Sequence, residues 1–347
     1  MNDSIEGRKR DHIDAVLRED VAAKGVDAGF DALYFVHAAL PDIDLDGVDM
    51  STTLFGRRLA APLLISSMTG GTAAARDINL RLAEAAQEYG IAMGVGSQRA
   101  AIEDPGQRET YDVRKAAPGI LLFANLGAIQ LNYGYGVDEA RAAVDMIGAD
   151  ALFLHLNPLQ EAVQAGGDRN WSGLLGRIEA VARALDVPVV AKEVGNGISG
   201  KVASRLADAG IAAIDVAGAG GTSWSEVEAV RQKDPRTRRV AHAFAGWGIP
   251  TVQALSEVRA AVPELPVFAS GGIRSGIDVA KAVRLGAELA GFAAPVLPGA
   301  VDTADAVSRR IGDMIEELRI AMFTTGSADL AALATAELRR VADGKPV

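Results

Sequence analysis

The chain has 347 residues, 49% hydrophobic and 23% charged, enough to bury a sizeable core as one large domain or two small ones. A formal net charge of −10 argues against nucleic acid and anionic membranes as partners, and the absence of cysteine excludes disulfides, thiolate nucleophiles and thiolate metal sites together. No apolar run approaches the roughly 18 residues of a membrane span, and Met1 to Arg10 is polar, so a cytoplasmic protein is expected.

Residues 1–60 are mixed in pattern and read as an N-terminal arm and cap. The basic cluster Arg8-Lys9-Arg10 leads into a short helix marked by Ile13, Val16 and Leu17. From Leu63 a rhythm begins, in which short apolar runs alternate with helical patterns and Gly or Pro marks most joints. The runs are Leu63–Ser67, Ile91–Val95, Ile120–Ala124, Ala151–His155, Pro188–Lys192, Ala213–Ala217, Pro266–Ser270 and Leu289–Ala293. Helical patterns between them include 74–89, 137–147, 171–185, 201–209, 251–262 and 277–285, and a closing helix follows over 301–324. Eight such strands over this length predict an α/β fold, a (β/α)8 TIM barrel over 61–325, with 326–347 as a helix end and frayed tail. A doubly wound open sheet is the alternative. The links Gly96–Gly119 and Gly218–Pro250 are long, which on a ligand-facing rim points to function.

The most informative stretch runs from Ala151 to Glu161. Pro158 cannot continue a strand ladder, period two puts His155 and Asn157 on one face, and Gln160 and Glu161 fall in the loop beyond. In a barrel this rim is the ligand face, and Ser67-Met68-Thr69, Ser97-Gln98-Arg99, Asn125, Lys192-Glu193 and Gly220-Gly221-Thr222 converge on it. Gly271-Gly272-Ile273 and Ala293-Ala294 follow the seventh and eighth strands, where backbone N–H groups cradle a phosphate; the bland alternative is that the glycines only make turns. Lys192 ends an apolar strand and needs an anion or an electron-rich ring beside it. Arg99 and the Arg8-Lys9 pair supply cations for a second anionic ligand, so cofactor plus substrate is expected. Glu161 has no zinc-like partners and suits Mg2+, or is a surface glutamate; His155 is a pocket residue or a satisfied core histidine.

Taken in order, Arg8-Lys9, His12, Met68-Thr69-Gly70-Gly71, Ser97-Gln98-Arg99, His155-Leu156-Asn157, Gln160-Glu161, Lys192 to Gly197, Gly220-Gly221-Thr222, Trp247-Gly248 and Ser270-Gly271-Gly272 resemble type 2 isopentenyl-diphosphate isomerases from about residue 8 to 325. The resemblance implies an FMN-dependent isomerase of isopentenyl and dimethylallyl diphosphate that uses Mg2+, with NADPH or NADH as the flavin reductant. It implies FMN contacts from Ser67, Met68, Thr69, Ser97, Asn125, Lys192, Thr222, Gly271, Gly272, Ile273, Ala293 and Ala294. Arg8, Lys9, His12, Ser97, Gln98, Arg99 and His155 would meet the diphosphate, with Asn157 nearby, Gln160 by the alkene and Glu161 on Mg2+. It further implies a homo-oligomer, a tetramer or octamer, whose arm reaches a neighbouring site. Two competitors stand beside it. One is an FMN barrel oxidising 2-hydroxy acids with His242 as base, although Ala243 and Phe244 replace that family's Gly and Arg; the other is a non-catalytic flavin-binding barrel.

Overall fold

Eight short parallel strands close on one another because their residues are mostly apolar and buried on both faces. They are β4 (Leu63–Ile65), β5 (Ala92–Gly94), β6 (Leu122–Gly127), β7 (Ala151–Leu156), β8 (Val189–Glu193), β9 (Ala213–Asp215), β10 (Val267–Ser270) and β11 (Leu289–Phe292). They stand in chain order around a closed barrel, sealed where β11 pairs with β4. The molecule, a computed structural model, is described over residues 5–347 without the side chains of Ile5, Glu6, Arg8 and Arg10. The eight apolar runs expected from the sequence all form barrel strands.

Helices wrap the barrel: α2 (Ala73–Tyr89), α4 (Val137–Ile147), α6 (Leu174–Ala184), α7 (Gly200–Asp208), α10 (Thr251–Ala261), α11 (Gly276–Arg284) and α13 (Ala304–Phe323). Period two divides the core. Leu63, Ile65, Met93, Leu122 and Ala124 face the helices, whereas Leu64, Ala92, Phe123, Phe153, Val190, Phe268 and Leu289 fill the interior. Phe123 stacks on Phe153 at 4.4 Å and meets Phe268 edge-on at 6.1 Å. The hairpin β2 (Thr52–Leu54) and β3 (Arg57–Leu59) packs Leu54 and Leu59 against this plug.

The two long connections carry helices of their own: α3 (Arg99–Glu103) after β5, and α8 (Trp224–Arg231) with α9 (Pro235–His242) after β9. The N-terminal helix α1 (Ile5–Arg18) docks Ala15 and Val16, with Val21 just beyond it, on Trp224, Val227 and Val230 of α8. Short helices α5 (Pro158–Val163), α12 (Leu297–Asp302) and α14 (Leu330–Leu333) complete the set. The tail departs from the frayed end expected of it: β12 (Leu338–Arg340) pairs antiparallel with β1 (Leu33–Phe35), because Leu333 and Leu338 are fully buried.

Candidate active site

The interior register that builds the plug also builds the site. Two residues beyond the plug, on the same inward face, come Ser66, Asn125, His155, Lys192, Asp215 and Ser270, so a polar layer lies on an aromatic one. Above it opens a cavity of about 740 Å³ at the carboxyl ends of the strands, with α1 and α8 along its side.

Lys192 Nζ donates to Asp215 Oδ2 at 2.9 Å and to Ser270 Oγ at 3.3 Å, and Ser270 Oγ donates to Asp215 Oδ1 at 2.6 Å. The lysine that needed a partner therefore has a buried carboxylate. Glu193, on the opposite face, turns its carboxylate back onto the N–H groups of Val194, Gly195 and Asn196. Burial pushes Glu193 up to about 7 against those three donors. His155 Nδ1 lies 2.8 Å from Asn125 Oδ1, and burial with help from Lys192 and Lys9 holds its imidazole down at about 4, neutral at pH 7.

Pro158 does more than end β7. It opens α5 from its first turn, where its missing N–H costs nothing, so Gln160 and Glu161 stand on a helix rather than in the expected loop. Asn157 Nδ2 donates to Gln160 Oε1 at 3.1 Å and to Glu161 Oε1 at 3.0 Å. Gln160 Nε2 donates to Glu228 Oε1 at 3.2 Å, and the same oxygen lies 2.9 Å from His12 Nε2. Burial works to raise Glu228, but His12, Arg231 and Gln160 hold it below the usual range, so it is a carboxylate. Three residues before His12 on the same helix, Lys9 Nζ donates to Ser97 O at 2.9 Å and to Tyr111 Oη at 2.6 Å.

Of the residues singled out in the sequence, Lys9, His12, Ser67, Met68, Thr69, Ser97, Arg99, Asn125, His155, Asn157, Gln160, Glu161, Lys192, Thr222, Gly271, Gly272, Ile273, Ala293 and Ala294 line this cavity. The Arg8 side chain lies outside the described residues. Gln98 is a correction: fully buried, it donates to Ala143 O at 2.8 Å and accepts from Asn125 N–H at 2.9 Å, bolting the barrel wall instead of facing a ligand. His242 is absent from the lining; it lies 2.8 Å from Glu226 on the outer side of the α8–α9 connection. Asp215 and Glu228 went unnoticed in the sequence, and Ser270 figured there in a motif without its role beside Lys192 and Asp215. For Asp215 and Ser270 the signal was the inward register; Glu228 lies within a long connection that no strand position announces.

The cavity suits a flavin phosphate and an isoalloxazine ring. The hydroxyls of Ser66, Ser67 and Thr69 are buried without a hydrogen-bond partner. Gly271 and Gly272 adopt φ of 96° and 77°, and a Cβ on Gly272 would stand 2.7 Å from that of Ala28, so the cradle is open only to glycine. For a metal the donor set is sparse: among the described residues no three His, Asp or Glu side chains gather. Glu161 is a single carboxylate beside the unpartnered, buried Oδ1 of Asn157. That fits Mg2+ held mostly by water and phosphate, and no all-protein cage.

Comparison with known proteins agrees with the geometry. The model of the FMN-dependent dehydrogenase family matches residues 1–113 and 157–340. Isopentenyl-diphosphate delta-isomerase of Synechocystis is 60% identical over 97% of this chain and 96% of its own. The protein of that name in Stutzerimonas stutzeri is 60% identical over 96% and 97%, and that of Xanthobacter autotrophicus 58% over 96% and 97%. Among solved structures, mandelate oxidase with (S)-2-phenylpropionate superposes with a TM-score of 0.66 over 98% of this chain and 99% of that one; at 22% identity this speaks to the fold alone.

Proposed function

Because this chain belongs to the FMN-dependent dehydrogenase family and, within it, to the isopentenyl-diphosphate delta-isomerases, we propose that it interconverts isopentenyl and dimethylallyl diphosphate on bound FMN, with Mg2+ at Glu161 and NADPH or NADH keeping the flavin reduced. The observation that carries the site assignment is that one cavity is lined both by an unsatisfied hydroxyl and glycine cradle and by Lys9, Arg99, His155, Gln160 and Glu161. Two anionic ligands can lie there together.

The reaction moves a double bond by one carbon. A proton joins the terminal methylene carbon, another leaves the carbon next but one, and no electrons are gained or lost. Bound reduced FMN would supply the proton-transfer chemistry. The chain's own groups do the rest. Ser67, Thr69, Asn125 and Lys192 fit the flavin ring, and the Gly271-Gly272-Ile273 turn with Ala293 and Ala294 fits its phosphate. Lys9, Arg99 and His155 would hold the substrate diphosphate, aided by His12 and, by resemblance, Arg8. Asn157 and Glu228 fix both ends of the Gln160 amide, which lets it orient the alkene without itself changing charge. The packing of α1 along the cavity's side would help exclude water from a developing cationic carbon.

The test is anaerobic incubation of the purified protein with FMN, NADPH, Mg2+ and isopentenyl diphosphate, followed by NMR. Dimethylallyl diphosphate is expected only with reduced flavin and without stoichiometric NADPH consumption. No product despite bound reduced FMN would sink the substrate assignment, and full turnover by Gln160→Asn would sink the role of that amide.

A further inference from the structure

After α5 the chain makes a tight return, Gln164 to Asp168, and the residue at its end bridges two parts of the site. Asp168 Oδ2 accepts from Arg99 Nη1 at 2.9 Å and from Gln130 Nε2 at 3.2 Å. The backbone N–H of Asp168 donates to Glu161 Oε2 at 2.7 Å, and its carbonyl accepts from the Trp171 indole at 3.2 Å. Side chain, N–H and carbonyl of one loop residue are all committed. The loop is shaped for this: Gly166 takes φ of 69°, and a Cβ on Gly167 would run into the Glu161 carbonyl.

We infer that Asp168 is a positioning residue of the diphosphate subsite, fixing the Arg99 guanidinium toward the cavity while its backbone ties that pair to Glu161. The inference rests on the reading that this cavity takes a diphosphate. Arg99 sits on α3 with a side chain one-third exposed, and a free arginine there would sample many rotamers. Glu103 takes its Nε at 2.8 Å and Asp168 its Nη1, leaving Nη2 uncommitted to either acid and three of five N–H donors for an anion. Two acids flanking a cation also oppose an incoming anion. Pre-organisation outweighs that opposition if ordering a bidentate fork is worth more than the screened repulsion of a carboxylate already paired with Arg99 and hydrogen-bonded by Gln130.

Titration calorimetry of inorganic diphosphate with Mg2+ into the FMN-loaded protein decides the matter, alongside steady-state kinetics. Asp168→Asn is expected to weaken diphosphate binding and raise the KM for isopentenyl diphosphate about tenfold each, with kcat within about twofold and the flavin spectrum unchanged. In an Arg99→Gln background the same substitution should add nothing, because the group it positions is gone. Gln130→Met, which leaves Asp168 in place, should move binding the same way by about threefold, and it carries the test if the amide variant does not load FMN. Unchanged or tighter binding in Asp168→Asn, or full additivity with Arg99→Gln, overturns the inference. Failure of the parent reading looks different: Arg99→Gln alone would leave diphosphate binding intact.

Discussion

His155 and Glu193 lie on adjacent strands, where β7 and β8 pair His155 with Lys192 and Leu156 with Glu193, and burial drives their pKa values in opposite directions. The imidazole falls from 6.5 to about 4, so the unfolded chain takes the proton first; stability is full above pH 6.5 and is lost as pH falls toward 4. The carboxyl rises from 4.5 to about 7, so its contribution is full below pH 4.5 and is lost as pH rises through 7. Between pH 4.5 and 6.5 the two slopes oppose each other. Relative to the parent protein, Glu193→Gln should therefore gain stability with rising pH over that window, by about 1.4 kcal/mol per unit at most, and His155→Gln should lose it. Urea midpoints at half-unit pH steps check this; parallel profiles for all three proteins would mean that burial does not set these protonation states. The same pair marks how far single residues were legible. That Lys192 required a partner followed from its apolar strand, but Asp215 hides inside the run Ala213 to Ala217 and is revealed only by counting inward positions. Gln98 misled because a polar residue between Ser97 and Arg99 reads as rim, whereas its side chain turns into the wall beneath α4.

Elements were more legible than residues because strand and helix periods differ and are repeated many times. What periodicity did not reveal is how the strands are clamped at their entry. Before β7, Asp150 Oδ2 accepts from Leu122 N–H at 2.9 Å and from Arg114 Nη2 at 2.8 Å, and Arg114 also donates to Ile120 O at 3.0 Å. Four strands later the device recurs: Glu288 Oε2 accepts from Val267 N–H at 2.7 Å and from Arg259 Nη2 at 2.7 Å, and Arg259 donates to Leu265 O at 3.0 Å. Each acid takes the first N–H of the neighbouring strand, and each arginine takes the carbonyl two residues before it. No scan for short repeats finds a motif made of an arginine and an acid tens of residues apart. Asp150→Asn leaves Arg57 and Arg114 facing a neutral amide and should cost about 2–3 kcal/mol by urea unfolding. The equivalent change at the exposed Glu316, paired with Arg319, should cost less than about 0.5 kcal/mol. Equal losses at the two sites would show that the clamp is an ordinary surface ion pair.

At the scale of the whole molecule the charge is arranged against its own sum. The chain carries a net charge of −10, yet the cavity is lined by Lys9, Arg99, Lys192, Arg274 and Arg310 against Glu19, Asp20 and Glu161. The long-range field of such a protein repels a diphosphate, whereas the field near the mouth draws it in, and low-dielectric walls focus the local term. Salt separates the two because the Debye length falls from about 10 Å at 0.1 M to about 3 Å at 1 M. Over that range long-range repulsion between the diphosphate and the outer surface disappears first, while the cations inside act at contact and are screened less. If the cavity's own charges govern capture, kcat/KM for isopentenyl diphosphate should fall by about three- to tenfold from 0.1 to 1 M NaCl at constant Mg2+, with kcat nearly unchanged. A rise in kcat/KM with salt would mean that the acidic exterior controls encounter and that the cations serve only after arrival. Neutralising outer acids such as Glu316 or Asp343 should then accelerate the enzyme at low salt, and under the first outcome it should not.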